Sequence, residues 1–150
     1  MSTGHLIVVG VDGSEGGRRA LDWAVTEAAA RGGAVRAVMA WSWNGLDYGP
    51  IAAVNPVEES ALATQVVTAE IEALTERRGS HLPVTGEAIE GGPADVLTDA
   101  ARTADLLVLG SHGHSRVRHT VLGSVSEACI RKATCPVVVI PAPVREHATV

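Results

Sequence analysis

Apolar residues gather in five short runs, Leu6 to Gly10, Val35 to Ala40, Val84 to Ile89, Leu106 to Gly110 and Val137 to Ile140, each bounded by Gly, Pro or Asp. Runs of this length read as strands. The first and the last two are nearly continuous in apolar residues, the pattern of parallel strands covered on both faces. Helical spacing fills the intervals. Ser14 can cap a first helix that carries Glu15 in its opening turn, buries Leu21, Ala24, Val25 and Ala28, and stops at Gly32-Gly33. A second starts at Asn55-Pro56-Val57-Glu58, with Asn55 as cap, Pro56 at the first helical position and Glu58 completing a capping box, and ends near Arg77-Arg78-Gly79. Gly92-Pro93 opens a third, with Val96, Leu97, Ala100 and Ala101 as its apolar stripe. Ser124-Val125-Ser126-Glu127 reads as a capping box for a fourth, which ends before Cys135-Pro136. Strand and helix alternate throughout. Right-handed crossovers then give an α/β fold, one doubly wound five-stranded parallel sheet with helices on both faces.

The stretch from Trp41 to Val54 fits neither period and contains Asn44-Gly45 and Gly49-Pro50, which predicts a long loop after the second strand. Its Trp41, Trp43 and Tyr48 would either cover a ligand or anchor the loop to the body. There is no internal repeat or low-complexity segment, and 150 residues suit a single domain over 1–150.

Composition narrows the function. With 46% hydrophobic residues and no Phe, the core is built from small aliphatic side chains. Such a chain lacks the aromatic platforms that bind single-stranded nucleic acid, and its formal net charge of −5 opposes non-specific DNA binding. Arg116, Arg118 and His119 form a local basic cluster nonetheless. Cys129 and Cys135 fit neither a redox pair nor a zinc pattern and read as reduced thiols. The polar start of the chain predicts no signal peptide, and no apolar run approaches the roughly 20 residues needed to span a bilayer. The expectation is a cytoplasmic protein that contacts neither membrane nor nucleic acid.

Two strands end in loops that carry chemistry. The first runs out through Gly10-Val11-Asp12-Gly13-Ser14, and the fourth through Gly110-Ser111-His112-Gly113-His114-Ser115-Arg116 towards Leu122-Gly123-Ser124. In open α/β sheets ligands bind beyond the carboxyl ends of the strands, where the strand order reverses. Glycines 110, 113 and 123 allow close backbone approach, and the free N–H groups of Val125 and Ser126 at a helix start favour an anion. Each glycine alone is equally a turn or packing residue. All three on one strand-to-helix connection, with Ser115, Arg116 and Ser126 as donors, point to phosphate. No Walker A motif and no G-x-G-x-x-G after a strand occurs.

On these residues the chain resembles the universal stress proteins, whose ATP-binding members carry Gly-x2-Gly-x9-Gly-Ser/Thr, met here by Gly110, Gly113, Gly123 and Ser124. Val9-Gly10-Val11-Asp12-Gly13-Ser14 and Cys135-Pro136-Val137-Val138-Val139-Ile140-Pro141 also look like that family, and the resemblance covers nearly the whole chain. It implies strand order 3-2-1-4-5, with the Asp12 and Gly110 loops side by side. It further implies that Asp12 accepts from ribose hydroxyls, unless it serves instead as a helix cap, and that backbone near Met39 and Ala40 meets adenine. Gly110, Gly113, Ser115, Gly123, Ser124, Val125 and Ser126 would hold phosphates, with Gly10, Val11, Gly13, Ser111, His112, His114 and Arg116 around them. His112 and His114 depart from the residues common in the family at those positions, which would make phosphate contact pH-dependent. A metal site at these histidines lacks an accompanying carboxylate or thiol in the loop.

The resemblance therefore implies ATP with Mg2+, held by a nucleotide-dependent signalling or stress-response module that acts as a regulatory protein and not an enzyme. The alternative is a slow ATPase or phosphotransferase using the loop histidines. A homodimer through Val137 to Ile140 is also implied, together with protein partners the residues do not identify.

Overall fold

The computed structural model describes residues 4–42, 55–112 and 122–142. Five strands, β1 (Leu6–Gly10), β2 (Ala34–Trp41), β3 (Val84–Glu90), β4 (Leu106–Gly110) and β5 (Val137–Ile140), form one parallel sheet in the order β3-β2-β1-β4-β5. This is the expected fold class and order. The helices are α1 (Glu15–Arg31), α2 (Pro56–Arg78), α3 (Pro93–Ala100) and α4 (Ser124–Lys132).

Strand alternation sorts the sheet into two cores. Ile7, Val9, Val35, Ala37 and Val108 face α1 and α2, whereas Val8, Val38, Leu107 and Leu109 face α3 and α4. Each face is thus covered, and each is filled by Ala, Val, Leu and Ile. Helix α1 begins at Ser14, whose side chain accepts from the Gly17 N–H, and ends at Gly32 in the left-handed region, φ 67°. Asn55 caps α2 by accepting from the Glu58 N–H at 2.8 Å, and Pro56 follows at the first helical position. Helix α3 tightens into a 3-10 turn over Ala101–Thr103, so Ala101 lies in that turn and not in the helix proper.

One expected boundary moves. Trp41 belongs to β2, not to the loop, because pairing with β3 continues to Trp41↔Glu90 and the Trp41 carbonyl accepts from the Gly91 N–H at 2.8 Å. Trp43, Tyr48 and the rest of that loop lie outside the described residues. Among the described residues no helix is long and apolar enough to cross a membrane.

Both cysteines are free, Cys129 fully buried on the core-facing side of α4 and Cys135 half-buried. Burial pushes the Cys129 thiol up to about 11, so its nucleophilic thiolate is scarce at neutral pH. Iodoacetamide at neutral pH is expected to leave Cys129 unmodified in the folded protein and to alkylate it after denaturation. Peptide mass spectrometry checks this, and labelling of folded Cys129 at the denatured rate would contradict it.

Candidate functional site

The order of strands reverses between β1 and β4, so the loops leaving these two strands meet above the carboxyl edge of the sheet. Leaving β1, the Val11 N–H donates to the Val38 carbonyl at 3.0 Å and holds the loop against β2. Asp12 Oδ1 accepts from the Ser14 N–H at 2.9 Å and from the Ser14 hydroxyl at 2.5 Å. Ser14 in turn accepts from the Gly17 N–H at 3.1 Å. The helix cap is therefore Ser14, and Asp12 supports it from two residues further out. Gly13 follows at φ 83°, its carbonyl accepting from Arg18 Nη1 at 3.2 Å. That same guanidinium lies 3.4 Å from the carboxylate of Glu70 on α2.

Leaving β4, Gly110 lies against the first turn of α1. A Cβ at this position would stand 2.9 Å from both the carbonyl carbon and the oxygen of Gly16, closer than packed atoms approach. The loop after β4 then receives α4. The Gly123 N–H donates to the Ser111 carbonyl at 2.7 Å, and the Ser126 hydroxyl, on a side that is buried, donates to the Gly110 carbonyl at 2.8 Å.

These bonds correct the expected capping box. Anchored on Ser111, Gly123 takes the extended cap position, φ −72° and ψ 168°, and among the described residues no side-chain hydrogen bond caps the helix. Ser124 is already the first helical residue, so its hydroxyl is not the cap, and Glu127 pairs with Arg131 at 3.7 Å one turn on. The intrahelical ladder starts with the Glu127 N–H on the Gly123 carbonyl at 3.0 Å. Helix geometry leaves the N–H groups of Ser124, Val125 and Ser126 without an intrahelical acceptor, and the positive end of α4 faces the loops.

Between these loops is a cavity of about 270 Å³, close to the lower end of small-molecule sites. Its lining brings together Gly10, Val11, Asp12, Ala40, Gly110 and His112 with Gly123, Ser124, Val125 and Ser126. Gly13 and Ser111 do not line it. Neither does Met39: alternation along β2 turns it to the opposite face, where it packs with the α1 and α2 core. Residues that sequence reasoning missed make the apolar wall, Val38 from β2 and Pro93 and Leu97 from α3, with Leu109 beside them. Gly113, His114, Ser115 and Arg116 lie outside the described residues, as do Arg118 and His119. Among the described residues no group of three or more His, Cys, Asp or Glu is placed to hold a metal ion.

Among the described residues the arrangement offers an apolar wall, the Asp12 carboxylate and the start of α4. A flat apolar ring system suits the first, hydroxyl donors the second and an anion the third.

Comparison with known proteins identifies relatives of this sequence and fold. A family model described as the universal stress protein family matches residues 5–141. A universal stress protein of Mycobacterium tuberculosis is 34% identical over 150 residues, spanning 90% of this chain and 47% of that protein. The chain thus spans about half the length of this relative. The crystal structure of a universal stress protein in complex with cAMP superposes with a TM-score of 0.67 at 25% identity, covering 93% of this chain and 98% of that one. The structure of the universal stress protein from Archaeoglobus fulgidus in complex with dAMP gives a TM-score of 0.67 at 25% identity, covering 91% and 97%.

Proposed function

This chain belongs to the universal stress protein family, and on that premise we propose that it binds ATP, with Mg2+, in the cavity between the β1 and β4 loops and signals through the bound state. The observation that carries the reading is the cavity itself, in which an apolar wall faces the start of α4 across the Asp12 loop. Two structural relatives hold cAMP and dAMP, both adenine nucleotides. Adenine would lie against Val38, Ala40 and Leu97, ribose near Asp12, and phosphate at Gly110 and the amides of Ser124 to Ser126. Lining glycines leave room for close approach, and amide donors are the chemistry that anionic oxygens require. Asp12 is the only carboxylate among the described lining residues, so Mg2+ would be held by phosphate oxygens and water more than by protein. Bound, it would neutralise phosphate charge.

Isothermal titration with ATP and with NAD, each with Mg2+, tests the assignment: ATP is expected to bind and NAD to leave no saturable heat. Saturable NAD binding with none for ATP would overturn it.

A second reading has one observation in its favour. His112 lines the cavity with its Nδ1 3.1 Å from the Ser111 hydroxyl, an arrangement that could orient an imidazole for acid–base work. Fast phosphoryl transfer also needs a metal fixed by carboxylates and a preorganised cation, and no carboxylate besides Asp12 is among the described lining residues. Turnover is therefore expected below roughly 1 per second, the low end of ordinary enzymes. Single-turnover assays decide this: fast hydrolysis abolished by His112→Ala with binding retained would make the protein an enzyme.

A further inference from the structure

Ser111 lies where four parts of the chain meet, and its hydrogen bonds can be followed atom by atom. Its N–H donates to the Ile140 carbonyl at 2.8 Å, and its carbonyl accepts from the Gly123 N–H at 2.7 Å. Its hydroxyl oxygen accepts from the Ala142 N–H at 3.2 Å and stands 3.1 Å from His112 Nδ1. The residue is 5% exposed. The end of β4, the exit of β5, the start of α4 and the His112 ring are thus tied to one small side chain.

The direction of the last bond follows from counting protons. A serine hydroxyl has one proton to give and two lone pairs. The Ala142 amide can only donate, so it takes a lone pair and leaves the proton. A buried hydroxyl proton without an acceptor is costly, and among the described residues His112 Nδ1 is the acceptor within reach. When Nδ1 of a neutral imidazole accepts, the ring hydrogen is on Nε2.

We propose that Ser111 is a positioning residue that fixes His112 as the Nε2–H tautomer, so that this lining histidine presents a hydrogen-bond donor to an anionic oxygen in the cavity. The same tautomer withholds the Nε2 lone pair that a general base would use. His112 then holds a phosphate oxygen without needing a positive charge, and it is a poor base for activating water. The ligand half of this proposal rests on the nucleotide reading above. The tautomer half does not.

Long-range ¹H–¹⁵N NMR on the nucleotide-free full chain, at a pH where its histidines are neutral, reads the tautomer of His112. Wild type and Ser111→Thr are expected to show Nε2–H, and Ser111→Ala a mixture of both forms. An Nδ1–H signature in wild type overturns the proposal, as does a tautomer unmoved by Ser111→Ala. Titration separates the ligand half: Ser111→Ala is expected to weaken ATP about threefold to tenfold, the worth of one net hydrogen bond, while adenosine binding stays level. Equal losses for both ligands would assign Ser111 to the fold alone. If wild type shows Nε2–H yet binds no phosphate compound, the nucleotide reading and the donor role fall together and the tautomer assignment stands.

Discussion

Replacing Gly110 by alanine is expected to weaken ATP binding by about tenfold or more and to lower stability by about 1–3 kcal/mol, the usual range for overpacking. The added methyl would stand 2.9 Å from the backbone of Gly16, where no flexible side chain can yield. Either α1 or the end of β4 must therefore move. Movement of β4 carries α4 with it, since Ser126 and Gly123 anchor that helix on the carbonyls of Gly110 and Ser111. The amides that would face phosphate are then displaced, and charge-assisted hydrogen bonds are strongly sensitive to geometry. Gly32→Ala is the control. It forces a Cβ into the left-handed region at φ 67°, at the opposite edge of the sheet, with no atom within 4 Å of the new carbon. It should cost about 1 kcal/mol of stability and leave affinity untouched. Calorimetric titration and thermal unfolding of both variants check this pair, and equal ATP affinity in Gly110→Ala and wild type would remove β4 from the site.

Val139→Lys is expected to convert a dimer into a monomer, with dimer affinity reduced at least about a hundredfold, comparable to burying an unpaired charge in an interface. The dimer is a proposal, and the contrast between the two sheet edges supports it. At one edge β3 reads Val-Thr-Gly-Glu-Ala-Ile-Glu, and its Glu87 pairs with Arg36 at 2.9 Å, a charged edge of the kind that resists pairing. At the other, β5 reads Val-Val-Val-Ile and every residue is half-buried. Two copies joined along β5 would cover that edge with two-fold symmetry. The structure also selects the variant. Val138 packs with the α1 and α2 core, so a lysine there would unfold the chain as readily as it would split a dimer. Val139 is not among the residues packed against either core cluster. Sedimentation velocity reads the outcome, and a wild type that is already monomeric would refute the dimer.

Much of this was readable from spacing alone. β1, β4 and β5 have the bounds that their uninterrupted apolar runs predict, a pattern that suits β1 and β4 as strands buried on both faces and β5 as a half-buried edge strand. β2 and β3 extend further, since an edge pair can continue through Trp41 and Glu90 once backbone partners are present. The Ser124 cap was misread because Gly123 and Ser124 both satisfy the local pattern. Only the bond from Gly123 to Ser111, twelve residues back, decides between them. The glycine-lined side of the cavity was visible for a related reason: glycines and a helix start are local signals. Its apolar wall was not, because Val38 and Leu97 come together only when α3 packs across β2. Met39 shows the limit from the other side, for a strand position one residue away from the site faces the opposite core.

The start of α4 also bears on how long the protein survives in a cell. This helix has nine residues and, among the described residues, no side-chain cap, and helices so short are marginal on their own. It persists through packing against α3, with Cys129 buried, and through its anchors on the carbonyls of Gly110 and Ser111. Its first turn, at the end of so short a helix, is a natural place for local opening. Whatever fills the amides there stabilises the closed form by mass action, about 2.7 kcal/mol at a hundred times the dissociation constant. Opening would become about a hundredfold rarer. Under the nucleotide reading, cellular lifetime would then follow the supply of nucleotide, and starvation would shorten it before any partner was engaged.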